Sequence, residues 1–239
     1  MTGRSIIFVS VGLAWALVIA GCDRMPGRPT AASIELKPEQ VQDFTKLYNL
    51  NCAGCHGVNG RGNAALALNN PVYLSIVSDD VLRRTTAMGV QGTMMPAFLK
   101  SAGGTLTGDQ IGILVREMRA RWGHATELQG ETPPPYAAQS GGNAERGAKA
   151  YEQYCVTCHG ANGVGGTKAK SIVESSYLAL VSDQTLRMTI IAGRPDLGHP
   201  DWRHYTPSQP ITGPEVTDLV AWLAAKRVTN PGRPYSKSN

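Results

Sequence analysis

Two short stretches carry the residues best suited to chemistry: Cys52-Ala53-Gly54-Cys55-His56 and Cys155-Val156-Thr157-Cys158-His159. Two cysteines three positions apart, at the end of a short helix, can each form a thioether to one of the two vinyl groups of a haem. The next histidine then aims its imidazole at the iron. With 5 histidines and 5 cysteines in 239 residues, one such motif arises by chance roughly two times in a thousand. Zinc is the competing reading. Each motif offers only three ligands and Cys22 is the one cysteine outside them, so a closed tetrahedral site would need a distant histidine. The expectation is two covalent haem c groups, attached through Cys52, Cys55, Cys155 and Cys158, with His56 and His159 on the irons.

The elements that position these motifs come in two copies. The motifs are offset by 103 residues, as are Tyr48 and Tyr151. Tyr73-Leu74 and Tyr177-Leu178, Ser78-Asp79 and Ser182-Asp183, Leu82-Arg83 and Leu186-Arg187, and Gly89 and Gly193 match at an offset of 104. Thr107-Gly108 and Thr212-Gly213 match at 105. Three helices are expected in each copy. One leads into the motif, over Pro38–Asn51 and Asn143–Tyr154. A second is N-capped by Ser78 or Ser182. A third opens on a capping box, Thr107 with Gln110 or Thr212 with Glu215. Apolar residues at helical spacing follow it: Ile111, Leu114, Val115 and Met118, then Val216, Leu219, Val220 and Leu223. The expected layout is 1–21 leader, 22–35 tether, 36–123 first haem domain, 124–142 linker rich in proline and glycine, 143–228 second haem domain and 229–239 tail.

The leader reads as an export signal. Ile6 to Ala20 are apolar apart from Ser10 and Gly12. Those 15 residues make a helix of about 22 Å, short of the roughly 30 Å hydrocarbon core, so a cleaved signal is expected rather than a permanent span. Ile19-Ala20-Gly21-Cys22 resembles a bacterial lipobox, which places lipid on Cys22 and the protein on the periplasmic face of a membrane. Asp23 resembles a signal for retention at the inner membrane. An uncleaved N-terminal anchor is the alternative. The net charge of +5 and pI near 9.0 suggest nucleic acid only superficially. Four haem propionates would offset most of that charge, and no lysine or arginine run tracks a phosphate backbone. Aromatic residues make up only 6% of the chain, so each small domain needs another source of buried apolar area, which a haem supplies.

CxxCH after a short helix, a Met-Pro loop about 40 residues on and a closing helix resemble class I cytochrome c, over Pro38 to Arg227. The resemblance implies an all-α fold of two tandem class I cytochrome c-like domains, each wrapped around a haem, with His56 and His159 proximal. The methionine before the proline binds iron in that family, which points to Met95; Met94 is the alternative, and Met88 reads as core. The second copy departs from the pattern. His199-Pro200 stands where Met95-Pro96 stands, and Trp202 where Phe98 does. The expected distal ligand is therefore His199. His204 and an open sixth position are the alternatives, while Met188 reads as core and His124 as a surface residue.

The expected role is a membrane-anchored dihaem cytochrome moving electrons between a respiratory or photosynthetic donor and acceptor, as a free carrier or as a subunit of a redox complex. No catalytic residues are expected; nucleophile elbow, phosphate loop and paired carboxylates are all missing from the sequence. A small dihaem redox enzyme, of the peroxidase or sulfur-compound oxidase type with an openable sixth site on the second haem, is the alternative. A docking subunit whose tail, Val228 to Asn239, drapes over a partner is the third.

Overall fold

In the computed structural model, residues 35–123, 128 and 130–229 are described. Cys22, the leader, most of the tether, His124 and residues 230–239 lie outside them. The fold is helical, and among the described residues there is no β-strand, only isolated bridges. No helix among them is long and apolar enough to cross a membrane. Residues 35–40 contain one short turn, Pro38–Gln40.

From Val41 onward the first copy runs α1 (Phe44–Asn51), α2 (Ala53–His56), α3 (Pro71–Ile76), α4 (Asp79–Met88) and α5 (Gly108–Trp122). The second copy repeats the order: α6 (Ala144–Tyr154), α7 (Val156–His159), α8 (Ser175–Leu180), α9 (Asp183–Ala192) and α10 (Gly213–Ala224). Ser78 and Ser182 cap α4 and α9 by accepting main-chain N–H bonds from Val81 and Thr185. Both capping boxes form, at Thr107 with Gln110 and at Thr212 with Glu215. The helices α3 and α8 were not among the three expected per copy. Each is six residues long, too short for a hydrophobic period to show. Their caps are Asn70 and Glu174, each accepting from the main-chain N–H three residues on.

The first and last helices of each copy cross and bury the core, but the crossing is built differently. In the first copy, Phe44, Tyr48 and Trp122 make a mutual cluster, with ring centroids 5.3–5.8 Å apart. In the second copy Gly147 replaces Phe44, at the repeat offset of 103. A Cβ there would lie 2.1 Å from the Asp218 carbonyl oxygen, so α6 and α10 touch almost backbone to backbone. Tyr151 then stacks on Trp222 at 4.4 Å. Asp218 accepts from Arg146 at 2.6 and 2.8 Å and from the Asn143 N–H at 2.7 Å. The bond from Arg146 holds its carboxyl below the usual 3.8.

An arginine also clamps each copy, from within α5 in the first and from just past α10 in the second. Arg119 pairs with Asp79 and donates to the Leu74 and Val77 carbonyls. Arg227 does the same at Asp183, Leu178 and Val181. These bonds satisfy the ends of α3 and α8 and fix where α4 and α9 begin.

Two expectations about methionines part company. Met188 is buried at 3% exposure, whereas Met88 is 60% exposed. Met88 is the last residue of α4 and lies six positions after Leu82, its buried residue. That rotation is about 120° away from the core. The linker is also more than a spacer. Pro134 is buried, and Arg187 spans the Pro135 and Tyr136 carbonyls and Thr217.

Two outcomes are expected from the second copy's crossing. Gly147→Ala should destabilise it by about 1–3 kcal/mol through overpacking, seen as a lower melting temperature, while Gly141→Ala, with open space around it, should change little. Asp218→Asn should cost most at neutral pH. The folded carboxyl titrates below the unfolded one, so its stabilisation is complete above about pH 4 and is lost as pH falls. Melting temperatures across pH 3–7 should converge for the variant and the parent; a constant gap would show that the charge contributes nothing.

Candidate haem sites

Each CxxCH motif forms a single helical turn, α2 or α7, that continues from the preceding helix. The loop that follows folds back identically in both copies. Gly62 N–H donates to the His56 carbonyl and Gly165 N–H to the His159 carbonyl, both at 2.8 Å. Tyr48 and Tyr151 anchor the same loops from within the core, donating to the carbonyls of Gly57 and Gly160.

This loop also aims the imidazoles. His56 Nδ1 lies 2.8 Å from the Leu66 carbonyl, and His159 Nδ1 lies 3.0 Å from that of Lys170. A carbonyl can only accept, so each Nδ1 carries the hydrogen and Nε2 keeps its lone pair free for a metal. Burial lowers the His56 value below its usual 6.5, which holds the ring neutral. In each motif one cysteine is half-buried, Cys52 or Cys155, and one exposed, Cys55 or Cys158. Burial pushes the Cys52 and Cys155 thiols up to about 12, with the neighbouring Cys55 and Cys158 adding to it. Among the described residues no three His, Cys, Asp or Glu side chains converge on one point.

The distal loops are seated alike. Val90 N–H donates to the Met95 carbonyl, and Arg194 N–H to the His199 carbonyl, both at 3.1 Å. Gly89 and Gly193, at φ of +69° and +71°, end α4 and α9 beneath them. A Cβ at either would lie 2.6 Å from a carbonyl oxygen of Met95 or Pro200, so neither position accepts a side chain. Met95 is half-buried and Met94 is 74% exposed. Phe98 and Trp202 then turn the chain back, accepting from Leu106 and Ile211 N–H at 2.7 and 2.9 Å.

In the second copy the loop brings His199 opposite His159, with ring centroids 6.1 Å apart. At that separation His159 and His199 would be the pair of residues to hold one haem iron in this copy. Burial, and then the His159 ring, lower His199 to about 4, so it too stays neutral. Tyr205 packs edge-on against it at 5.6 Å. His199 Nδ1 differs from its counterparts: it is buried with no hydrogen-bond partner among the described residues, as is Trp202 Nε1. His204 turns outward, 65% exposed, with Nδ1 3.0 Å from Asp201.

Sequence reasoning missed Arg194, which runs from this loop to the first copy and donates to the Asn63 carbonyl at 2.6 Å. It also missed Asn70, which donates to the Ala192 carbonyl at 2.7 Å. The only hint was that Arg194-Pro195-Asp196 replaces Val90-Gln91-Gly92 at the repeat offset.

The model of the family described as cytochrome c oxidase, cbb3-type, subunit III matches residues 39–116 and 142–223, one stretch in each copy. The chain is similar to the cbb3-type cytochrome c oxidase subunit FixP of Bradyrhizobium sp. (strain ORS 278), 30% identical over 203 residues, covering 78% of this chain and 64% of the relative. It is also similar to the cbb3-type oxidase subunit CcoP of Azospirillum sp. (strain B510), 30% identical over 169 residues, covering 62% of this chain and 51% of the relative. The chain thus spans less than two thirds of the length of these relatives. With a family match in both copies, on a helical fold duplicated around two CxxCH motifs, the chain belongs to the cbb3-type cytochrome c oxidase subunit III family, within the class I cytochromes c.

Proposed function

We propose that this chain is an electron-transfer protein carrying two haem c groups, working as a subunit of a membrane redox complex of the kind named for its relatives or as a carrier to one. The facing imidazoles of His159 and His199, 6.1 Å apart, carry this reading. Bound haem c supplies a one-electron iron couple. Cys52, Cys55 and His56 with Met95 would hold one haem, and Cys155, Cys158 and His159 with His199 the other. The Leu66 and Lys170 carbonyls keep the proximal rings in the ligating tautomer, and the glycine-seated loops carry Met95 and His199, which would be the second ligands. Lipid on Cys22 would tether the protein to the periplasmic side of a bacterial membrane, the inner one by the reading of Asp23, with redox proteins or complex subunits as partners.

The two sites differ in potential on this reading. Imidazole donates more strongly than thioether and favours the ferric state, so the second haem sits lower by roughly a few tenths of a volt, within the about 0.8 V that axial ligands span. Electrons would enter at the second haem and leave from the first. One observation favours a second reading, a small redox enzyme in which His199 opens a site for substrate. Its Nδ1 makes no well-formed hydrogen bond among the described residues, having only the Pro200 main chain close by, where a ligating histidine is normally held more firmly.

Haem quantitation on the exported protein should give two covalent haems per chain, and a redox titration two separated waves. Two superimposed high-potential waves would overturn the assignment of His199. Met95→Ala should abolish the weak long-wavelength band that reports methionine–iron ligation, and His199→Ala should leave it intact. Carbon monoxide separates the readings. No spectral shift on adding it to the reduced parent protein supports a conductor, whereas a prompt shift, matched by His199→Ala, supports the enzyme.

A further inference from the structure

The loop Arg194-Pro195-Asp196 of the second copy lies against Gly62 and Asn63 of the first. Arg194 Nη2 donates to the Asn63 carbonyl at 2.6 Å. The same guanidinium forks onto Asp196, from Nε to Oδ1 at 2.9 Å and from Nη2 to Oδ2 at 2.7 Å. The two side chains are only 13% and 18% exposed, although the main chain around Asp196 faces solvent. Gly62 stands at φ +90°, a conformation that favours glycine, and lies directly against the Asp196 carboxylate.

Both sides of this contact are tied to candidate iron ligands. Gly62 N–H donates to the His56 carbonyl at 2.8 Å. Arg194 N–H donates to the His199 carbonyl at 3.1 Å, and His199 N–H returns a bond to the Arg194 carbonyl at 3.0 Å. Holding the copies together does not require this charge pair alone. Asn70, 4% exposed, bonds the Ala192 carbonyl at 2.7 Å across the same interface with no charge. At the equivalent places the first copy has Val90 and Gly92, which cannot make such a pair.

We propose that Arg194 and Asp196 form a charge-balanced clasp that couples the two haem sites, each charge acting on both irons and each cancelling the other. This rests on the two-haem reading. A positive charge left alone in a poorly solvated contact favours the ferrous state of a nearby iron, and a negative one the ferric state. Removing one partner therefore shifts both centres together, in a direction set by which partner remains. A contact that only positions the copies has no such sign rule.

The test uses the full haem-loaded chain and five variants, with both midpoint potentials read from one titration. Arg194→Gln should lower both potentials and Asp196→Asn raise both. The double variant and Arg194→Lys should stay near the parent. Asn70→Ala, which loosens the interface without changing charge, should lower the melting temperature and show no signed pattern. Should Arg194→Gln lose haem, Asp196→Asn alone decides, since it must raise both potentials. A shift confined to one haem, shifts of the same sign in both single variants, or no shift overturns the clasp. Fewer than two haems in the parent overturns the two-haem reading instead, so the two failures are distinguishable.

Discussion

The hydrogen bond from an imidazole Nδ1 to a main-chain carbonyl, at 2.8 Å for His56 and 3.0 Å for His159, is the constraint on which each copy turns. An imidazole on a flexible loop would sample both tautomers and many orientations, and neither would favour a metal. The carbonyls of Leu66 and Lys170 can fix the rings only if the loop that carries them is fixed. Tyr48 and Tyr151 do this from the core. They stand on α1 and α6, whose places are set by the crossings with α5 and α10. A contact between two helices far apart in sequence is thus transmitted, through one tyrosine hydroxyl and one loop, to the tautomer of one ring.

The same frame tolerates different solutions at the positions that bear on electronics. Phe44 against Gly147, Met95 against His199 and Val90 against Arg194 are three substitutions at repeat-equivalent places. The first changes how closely the helices approach and leaves the motif where it was. The second changes the candidate ligand while the loop keeps its bond to the residue after Gly89 or Gly193. The frame is carried by main-chain bonds and glycines, which leaves side chains at the loop tips free to diverge.

Much of this was legible in the sequence because it is local. The motifs, the repeat offsets and both capping boxes each depend on residues within a few positions or on comparison of the chain with itself. The fold class follows from them, and His199 opposite His159 follows from the offset once Met95 is placed. What escaped is non-local or too short. Six residues of α3 or α8 show no period. Arg187 reads as one more helical arginine, the counterpart of the half-exposed Arg83, until Pro135 and Tyr136 cross over it. Arg194 shows nothing of Asn63, 131 positions away. Met88 was misplaced because helix membership alone does not say which way a terminal residue turns.

The contact between the copies has a direction. It joins the distal loop of the second copy to the loop after the motif of the first, so it is a head-to-tail contact between two versions of one fold. Such a contact leaves its two complementary surfaces unused, here the distal loop of the first copy and the post-motif loop of the second. Repeated without change, it would propagate into an open array. The first copy's distal loop has Val90 and Gly92 in place of the charged pair, and it exposes Met94 at 74%. It therefore lacks the charged pair with which the second copy's loop docks. The divergence of the distal loops thus acts twice. It distinguishes the candidate ligands, and it gives the second copy's loop the charged pair whose arginine reaches the Asn63 carbonyl of the first.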